Sequence, residues 1–159
     1  MNRPATVYVT YIASTREKVW QALTDVEFNR QYWIGGCVTS DWHVGSSVQY
    51  TREDGAVGWE GEVLQADQPR ILSYTFHMLI SEEHQAEKPS RVTFELEEVQ
   101  GVVKLTLTHD GLEPESKTAE TTQHGWAAIM SSLKSLMETG LPLPFARLGF
   151  APTQRETTA

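Results

Sequence analysis

Residues 125–140 read GWAAIMSSLKSLMETG, and the apolar members Trp126, Ile129, Met130, Leu133, Leu136 and Met137 follow one another at +3, +1, +3, +3 and +1. That spacing keeps all six on one face of an α-helix and makes a stripe of unusual bulk. Ser131, Ser132, Lys134, Ser135 and Glu138 fall largely off it. Gly140 stops the helix, and Pro142 and Pro144 keep it stopped. So large an apolar face needs an equally apolar surface to cover it.

The chain before it supplies that surface. From Gly36 to His109 come short extended runs: CVTSDW, SSVQY, VGWEGEVLQA, ILSYTFHMLI, SRVTFELEEV and VVKLTLTHD. Turn signals such as Glu53-Asp54-Gly55, Asp67-Gln68-Pro69 and Gln100-Gly101 separate them, which predicts an antiparallel meander. Val92, Phe94 and Leu96 alternate with Arg91, Thr93 and Glu95, and Val103, Leu105, Leu107 and His109 alternate with Val102, Lys104, Thr106 and Thr108. One face is therefore buried and one is wet. Upstream, TVYVTYIA (6–13) reads as a strand. Ser14 and Glu17 have capping-box spacing ahead of a helix carrying Val19, Trp20 and Leu23, and Asp25 is placed to cap a second short helix with Phe28 and Tyr32, ended by Gly35-Gly36.

The expected fold is α+β: two short helices after the first strand, then a curved antiparallel sheet of six or seven strands around one long C-terminal helix. Such a sheet offers more apolar wall than one helix fills, so an internal hydrophobic cavity is expected between them. The 159 residues fit one domain, expected over 6–140. Residues 141–159 are expected to form a loosely packed or disordered tail, with Phe145, Leu148 and Phe150 available to fold back.

Thirteen Lys and Arg against 21 Asp and Glu leave a formal charge of −8, which disfavours nucleic acid and anionic membrane surfaces as partners. Cys37 is the single cysteine; it excludes an intramolecular disulfide and a multi-thiolate zinc site, and it fits a reducing compartment. No apolar run has the length of a signal segment or a membrane span. A cytoplasmic protein without membrane insertion, monomeric or homodimeric, is expected.

Six stretches together, EKVWQALTD, YWIGGCVTSDWHVGS, DG...WEGEVLQADQPRILSYTF, SRVTFELEE, LTLTHDGL and GWAAIMSSLKSLMETG, resemble the family of the activator of heat-shock protein 90 ATPase, from about Thr6 to Gly140. That family lies within the START-like superfamily of birch-pollen-allergen and polyketide-cyclase relatives. The resemblance implies a helix-grip fold with a hydrophobic cavity. It implies no single activity, since relatives bind lipids, sterols or polyketides, cyclise polyketides, or act as co-chaperones in stress responses. The eukaryotic co-chaperone resembles this chain only in its C-terminal domain, and residues 1–5 are too short for the N-terminal domain that carries much of its client contact.

The five histidines, His43, His77, His84, His109 and His124, form no metal-binding pattern, and His84 with Glu87 falls in a polar loop. No phosphate-cradling or nucleophile-elbow motif is present, so no cofactor and no metal are expected. His109 is the polar residue of interest, because its strand phase turns it inward with Leu105 and Leu107. A hydrogen-bonded core histidine is the default there; a general base assisted by Tyr74 or Tyr32 is the catalytic alternative. Asp110-Gly111 reads as a turn, and Cys37 as a small buried hydrophobe. Aromatics from separate elements converge beneath the helix, although each alone reads as core. The expected cavity wall is Tyr32, Trp33, Trp42, Trp59, Tyr74, Phe76, Phe94, Leu107, His109, Trp126, Ile129, Met130 and Leu133. The expected function is non-catalytic binding of a small hydrophobic or aromatic ligand (lipid, sterol, or polyketide- or polyphenol-like). The alternatives are a protein-binding module for a heat-shock protein 90 chaperone and a cyclase or dehydratase using His109.

Overall fold

A computed structural model describes residues 5–33 and 35–144. The expectation that Phe145, Leu148 and Phe150 pack back lies outside the described residues. Strand β1 (Thr6–Ile12) leads into α1 (Arg16–Thr24) and α2 (Val26–Asn29). Then come β2 (Gly36–Ser40), β3 (Ser47–Arg52), β4 (Val57–Asp67) and β5 (Ile71–Met78). The short helix α3 (Glu82–Gln85) interrupts the polar loop before β6 (Ser90–Val99), β7 (Val102–Asp110) and α4 (Lys117–Thr139). The strands form one sheet in the order β1-β7-β6-β5-β4-β3-β2, antiparallel throughout. This is the helix grip, with the first strand returning to pair with the last.

The alternation in β6 and β7 has the expected phase. Val92, Val103, Leu105, Leu107 and His109 are fully buried, while Arg91 and Glu95 are exposed. Irregular register at Tyr50/Thr51 and at Val63/Gln65 marks where the sheet bends, since an extra residue in one strand increases its local curl. The edge strand β2 is held by Asn29, whose side-chain amide donates to the Val38 carbonyl (2.8 Å) and accepts from the Val38 N–H (2.9 Å). A buried side chain thus supplies the ladder bonds that a further strand would have made.

Several local expectations move. Helix α1 is capped by Thr15, not Ser14, because the Thr15 hydroxyl takes the Lys18 N–H (3.2 Å). Asp25 caps α2 as expected, but α2 ends at Asn29 and Tyr32 lies in the turn beyond it. Asp110 is the last residue of β7 and not part of a turn; Arg91 grips it with two bonds, 3.0 and 2.7 Å. Those bonds hold its carboxyl below the usual carboxylate range. Cys37 is half-buried. No described helix is long and apolar enough to cross a membrane.

Candidate functional site

Where the first half of α4 crosses the sheet, the two do not close on each other. A cavity of about 150 Å³ remains there, walled by Trp33, Tyr50, Trp59, Phe76 and Trp126, with Met78 and Ile129 beside them and Thr121, Thr122 and Gly125 on the helix side. Trp33 touches three of the other rings, with centroids 5.0 Å from Tyr50, 6.0 Å from Trp59 and 5.7 Å from Trp126. Phe76 packs at 4.6 Å from Trp59 and 5.9 Å from Trp126. These are ordinary tilted and edge-to-face contacts. Of the other depressions, one between the start of α1 and the β6–β7 turn and one on β2 and β3 have mainly polar linings, whereas one beside α1 mixes Ser14, Thr15, Lys18 and Gln21 with Ala13, Phe28, Leu136 and Met137.

Each ring is placed by its local sequence. After α2 the chain turns so that the Tyr32 and Trp33 N–H groups both reach the Asn29 carbonyl (3.1 Å each), and the Tyr32 hydroxyl donates to the Ala22 carbonyl (2.8 Å). Trp33 is left half-buried over the sheet. Tyr50 lies against Gly58, where an added Cβ would come within 2.8 Å of its ring. Only glycine leaves room for that ring to lie flat on the neighbouring strand.

His109 stands behind this wall, with no exposure at all. Trp126 Nε1–H can only donate, and it meets His109 Nδ1 at 2.9 Å. Nδ1 therefore accepts, and the ring proton is on Nε2, which faces Ser90 Oγ at 2.7 Å. Ser90 Oγ donates onward to the Phe76 carbonyl (3.1 Å). Every donor and acceptor in this chain is matched by a neutral imidazole. Burial drives the His109 pKa down from 6.5 to about 4, with the Asp110 charge pulling weakly the other way. Both ring nitrogens are thus engaged by the protein.

The thirteen residues expected in the wall divide into two groups. Trp33, Trp59, Phe76, Trp126 and Ile129 line the cavity. Leu107, His109, Met130 and Leu133 are fully buried in packed core, as nearly are Tyr32, Tyr74 and Phe94. Trp42 is half-buried and donates its Nε1–H to the Thr24 carbonyl (2.8 Å). Burial raises the hydroxyl pKa of Tyr32 and Tyr74 well above the usual tyrosine value. Sequence reasoning missed Tyr50, Thr121, Thr122 and Gly125, whereas Met78 was expected to make the wall adaptable. Tyr50 was within reach, because it shares the inward phase of Val48 in β3.

The helix end of the cavity is fixed by the polar loop. The Glu87 carboxylate accepts from Ser116 Oγ (2.8 Å) and from the N–H groups of Lys117 (2.6 Å) and Thr118 (3.3 Å), the first turn of α4. Partial burial raises its pKa, but these hydrogen bonds outweigh that and leave it low. His84 bridges Ser81 Oγ (2.7 Å) and Thr121 Oγ1 (2.9 Å). His84 and Glu87 are thus employed within the protein, and among the described residues no three His, Cys, Asp or Glu side chains gather as a metal site would need.

Comparison with known proteins agrees with this architecture. The sequence pattern of the activator of Hsp90 ATPase homolog 1-like proteins matches residues 13–138. A solution structure of the Aha1 dimer from Colwellia psychrerythraea superposes with a TM-score of 0.70 at 20% identity, covering 86% of this chain and 98% of that one. A crystal structure of a Mesorhizobium loti protein gives 0.71 at 25% identity, covering 84% and 96%. The CalU16 protein of Micromonospora echinospora gives 0.70 at 19% identity, covering 91% and 80%. No curated protein matches the sequence.

Proposed function

Because this chain belongs to the activator of Hsp90 ATPase homolog 1-like family, we propose that it uses the family's helix grip to bind a small apolar or aromatic molecule, without chemistry, in the cavity under the first half of α4. The observation that carries this reading is the wall itself: five aromatic rings from five separate parts of the chain surround one small open space. Flat rigid rings offer contact area at little conformational cost, which suits a planar apolar guest. Size narrows the class. A cavity of about 150 Å³ holds roughly one benzene-sized ring, so a sterol or a fatty-acid chain would have to extend out past Trp33.

One observation separates this reading from a catalytic one. To serve as a base, His109 would have to give up either Trp126 or Ser90. For a chaperone partner, support comes from the family name alone.

Amide and indole chemical-shift titration with single-ring aromatics tests the proposal. Changes are expected at Trp33, Trp59, Trp126, Thr122 and Gly125. Changes confined to the wet face of the sheet, at Thr93 or Thr106, or no changes at all, would overturn it. Native mass spectrometry of freshly purified protein would add the mass of any ligand carried from the cell.

A further inference from the structure

Helix α4 is capped at its end by Gly140 in the left-handed conformation (φ 86°), and the chain beyond doubles back along the helix. Ser135 Oγ donates to the Leu141 carbonyl (2.7 Å), and the Leu143 N–H donates to Ser132 Oγ (3.1 Å). Pro142 and Pro144 favour extended backbone at Leu141 and Leu143, which keeps the returning chain on its course. That course leads to the cavity. Ser132 and Gly125 are seven residues apart and so share one face of α4, with Thr121 one turn further on. The mouth of the cavity lies at the same place, since Thr121 is exposed and Gly125 and Trp33 are half-buried while the other wall residues are buried. A Cβ added at Gly125 would meet nothing within 4 Å.

The residues after Pro144 read FARLGF (145–150). From Ser132 to Gly125 the helix rises about 10.5 Å, and two extended residues beyond Leu143 cover about 6.5 Å of it. Phe145 is then about 4 Å short of Gly125, a gap its own side chain closes. On the same path Phe150 overshoots Thr121, with about 23 Å of extended chain against about 16.5 Å of helix. Size matches as well as reach. The cavity of about 150 Å³ takes roughly one benzene-sized ring, and Phe145 carries one. A benzyl group needs no polar partner, and the Thr121 and Thr122 hydroxyls already donate to the Lys117 and Thr118 carbonyls (2.9 and 2.8 Å).

We propose that the cavity has an occupant within its own chain: Phe145 seats its ring at the mouth between Trp33 and Gly125 and competes with an external guest, so that the segment after α4 is an autoinhibitory strap. Tethering makes the seat easy to fill, and a guest binds only the molecules whose seat is empty. The competition rests on the cavity being the ligand site; the seating of Phe145 does not.

The test compares the whole chain with Phe145→Ser and Phe150→Ser, with toluene as the probe. Phe145→Ser is expected to bind toluene at least about fivefold more tightly than the parent, and Phe150→Ser is expected to match the parent. Without toluene, nuclear Overhauser contacts between the Phe145 ring and the Trp33 indole are expected in the parent. The Gly125 amide and Trp33 indole resonances should shift in Phe145→Ser alone. If toluene binds all three proteins alike and those resonances stay in place, the strap is overturned and the cavity reading survives. Weaker binding by Phe145→Ser also overturns it, because the segment would then retain the guest instead of displacing it. If toluene binds none of them while Phe145 touches Trp33, the seat stands and the ligand reading falls. If there is neither binding nor contact, both fall.

Discussion

From Met130 to Leu136 helix α4 is sealed onto the sheet, with Met130 and Leu133 fully buried and Leu136 nearly so; from Thr121 to Ile129 the same helix leaves a cavity over the same sheet. The apolar stripe enters the open half only at Trp126 and Ile129, behind Thr121, Thr122 and Gly125, so polarity as well as volume and shape separates the halves. The sealed half presents Met and Leu, side chains that bend into gaps, within a core cluster that includes the aliphatic Leu96, Val103 and Leu105. The open half presents Thr122 and Gly125 to flat rings, and rigid rings facing small residues cannot fill space. Polar ties hold both halves, Glu87 and His84 gripping the start of α4. The sealed half is bound to β1 by Lys134 to the Tyr11 carbonyl (2.6 Å) and by the Ala13 N–H to Glu138 (2.8 Å). On the proposed reading, stability and binding are drawn from different stretches of one helix.

The harshest way to break that comparison is a charge in the sealed half. Leu133→Asp would place a carboxylate where the side chain has no exposure and no partner is at hand, a change costing well over about 4 kcal/mol. Loss of a cooperative thermal transition is expected. A variant that melts like the parent would mean that the second half of α4 is not the core of the grip.

His109 lies at the junction, holding Trp126 from behind, and gives the next largest effect through pH. Its ordinary pKa is 6.5 and its folded one about 4, so between these values the unfolded chain binds more protons than the folded one. Stability from the neutral imidazole is complete above 6.5 and is lost as pH falls towards 4, by up to about 3 kcal/mol. Urea unfolding at pH 7 and pH 4.5 should show this loss in the parent and a smaller one in His109→Asn. That variant should also be about 1–3 kcal/mol less stable at pH 7, since it disrupts a matched chain of hydrogen bonds. A parent–variant difference that does not change with pH would mean that His109 is not held neutral.

How far all this could be read in advance also differs between the halves. The sheet, its phase at Val92 and Val103, and the stripe from Trp126 to Met137 follow from period alone, and period survives without knowing any neighbour. The cavity does not, because a void depends on which side chains from distant strands fail to meet. Trp59 and Tyr74 alternate inward alike, yet one lines the space and the other is stacked behind it. The start of α4 at Lys117 was hidden for a related reason: its Ser116 cap is legible, but the second cap comes from Glu87, thirty residues upstream. Gly125 carried a local signal that went unused, a glycine inside a helical pattern, which costs stability unless space or function requires it.

That glycine gives the smallest effect and the sharpest test of the open half. It lies inside α4, and a Cβ added to it would meet nothing within 4 Å. Alanine there should raise helix propensity and restrict the unfolded chain, for a gain of about 0.5–1 kcal/mol and a rise of a few degrees in Tm. Leucine, reaching into the space beside Trp33 and Trp126, should keep the fold but weaken any single-ring aromatic by tenfold or more, since it occupies the guest's volume. The two substitutions together separate causes. If alanine stabilises and leucine blocks binding, the glycine holds the cavity open at the expense of the helix. If alanine destabilises, the open half is already packed against something, and the space between α4 and the rings is not a binding site.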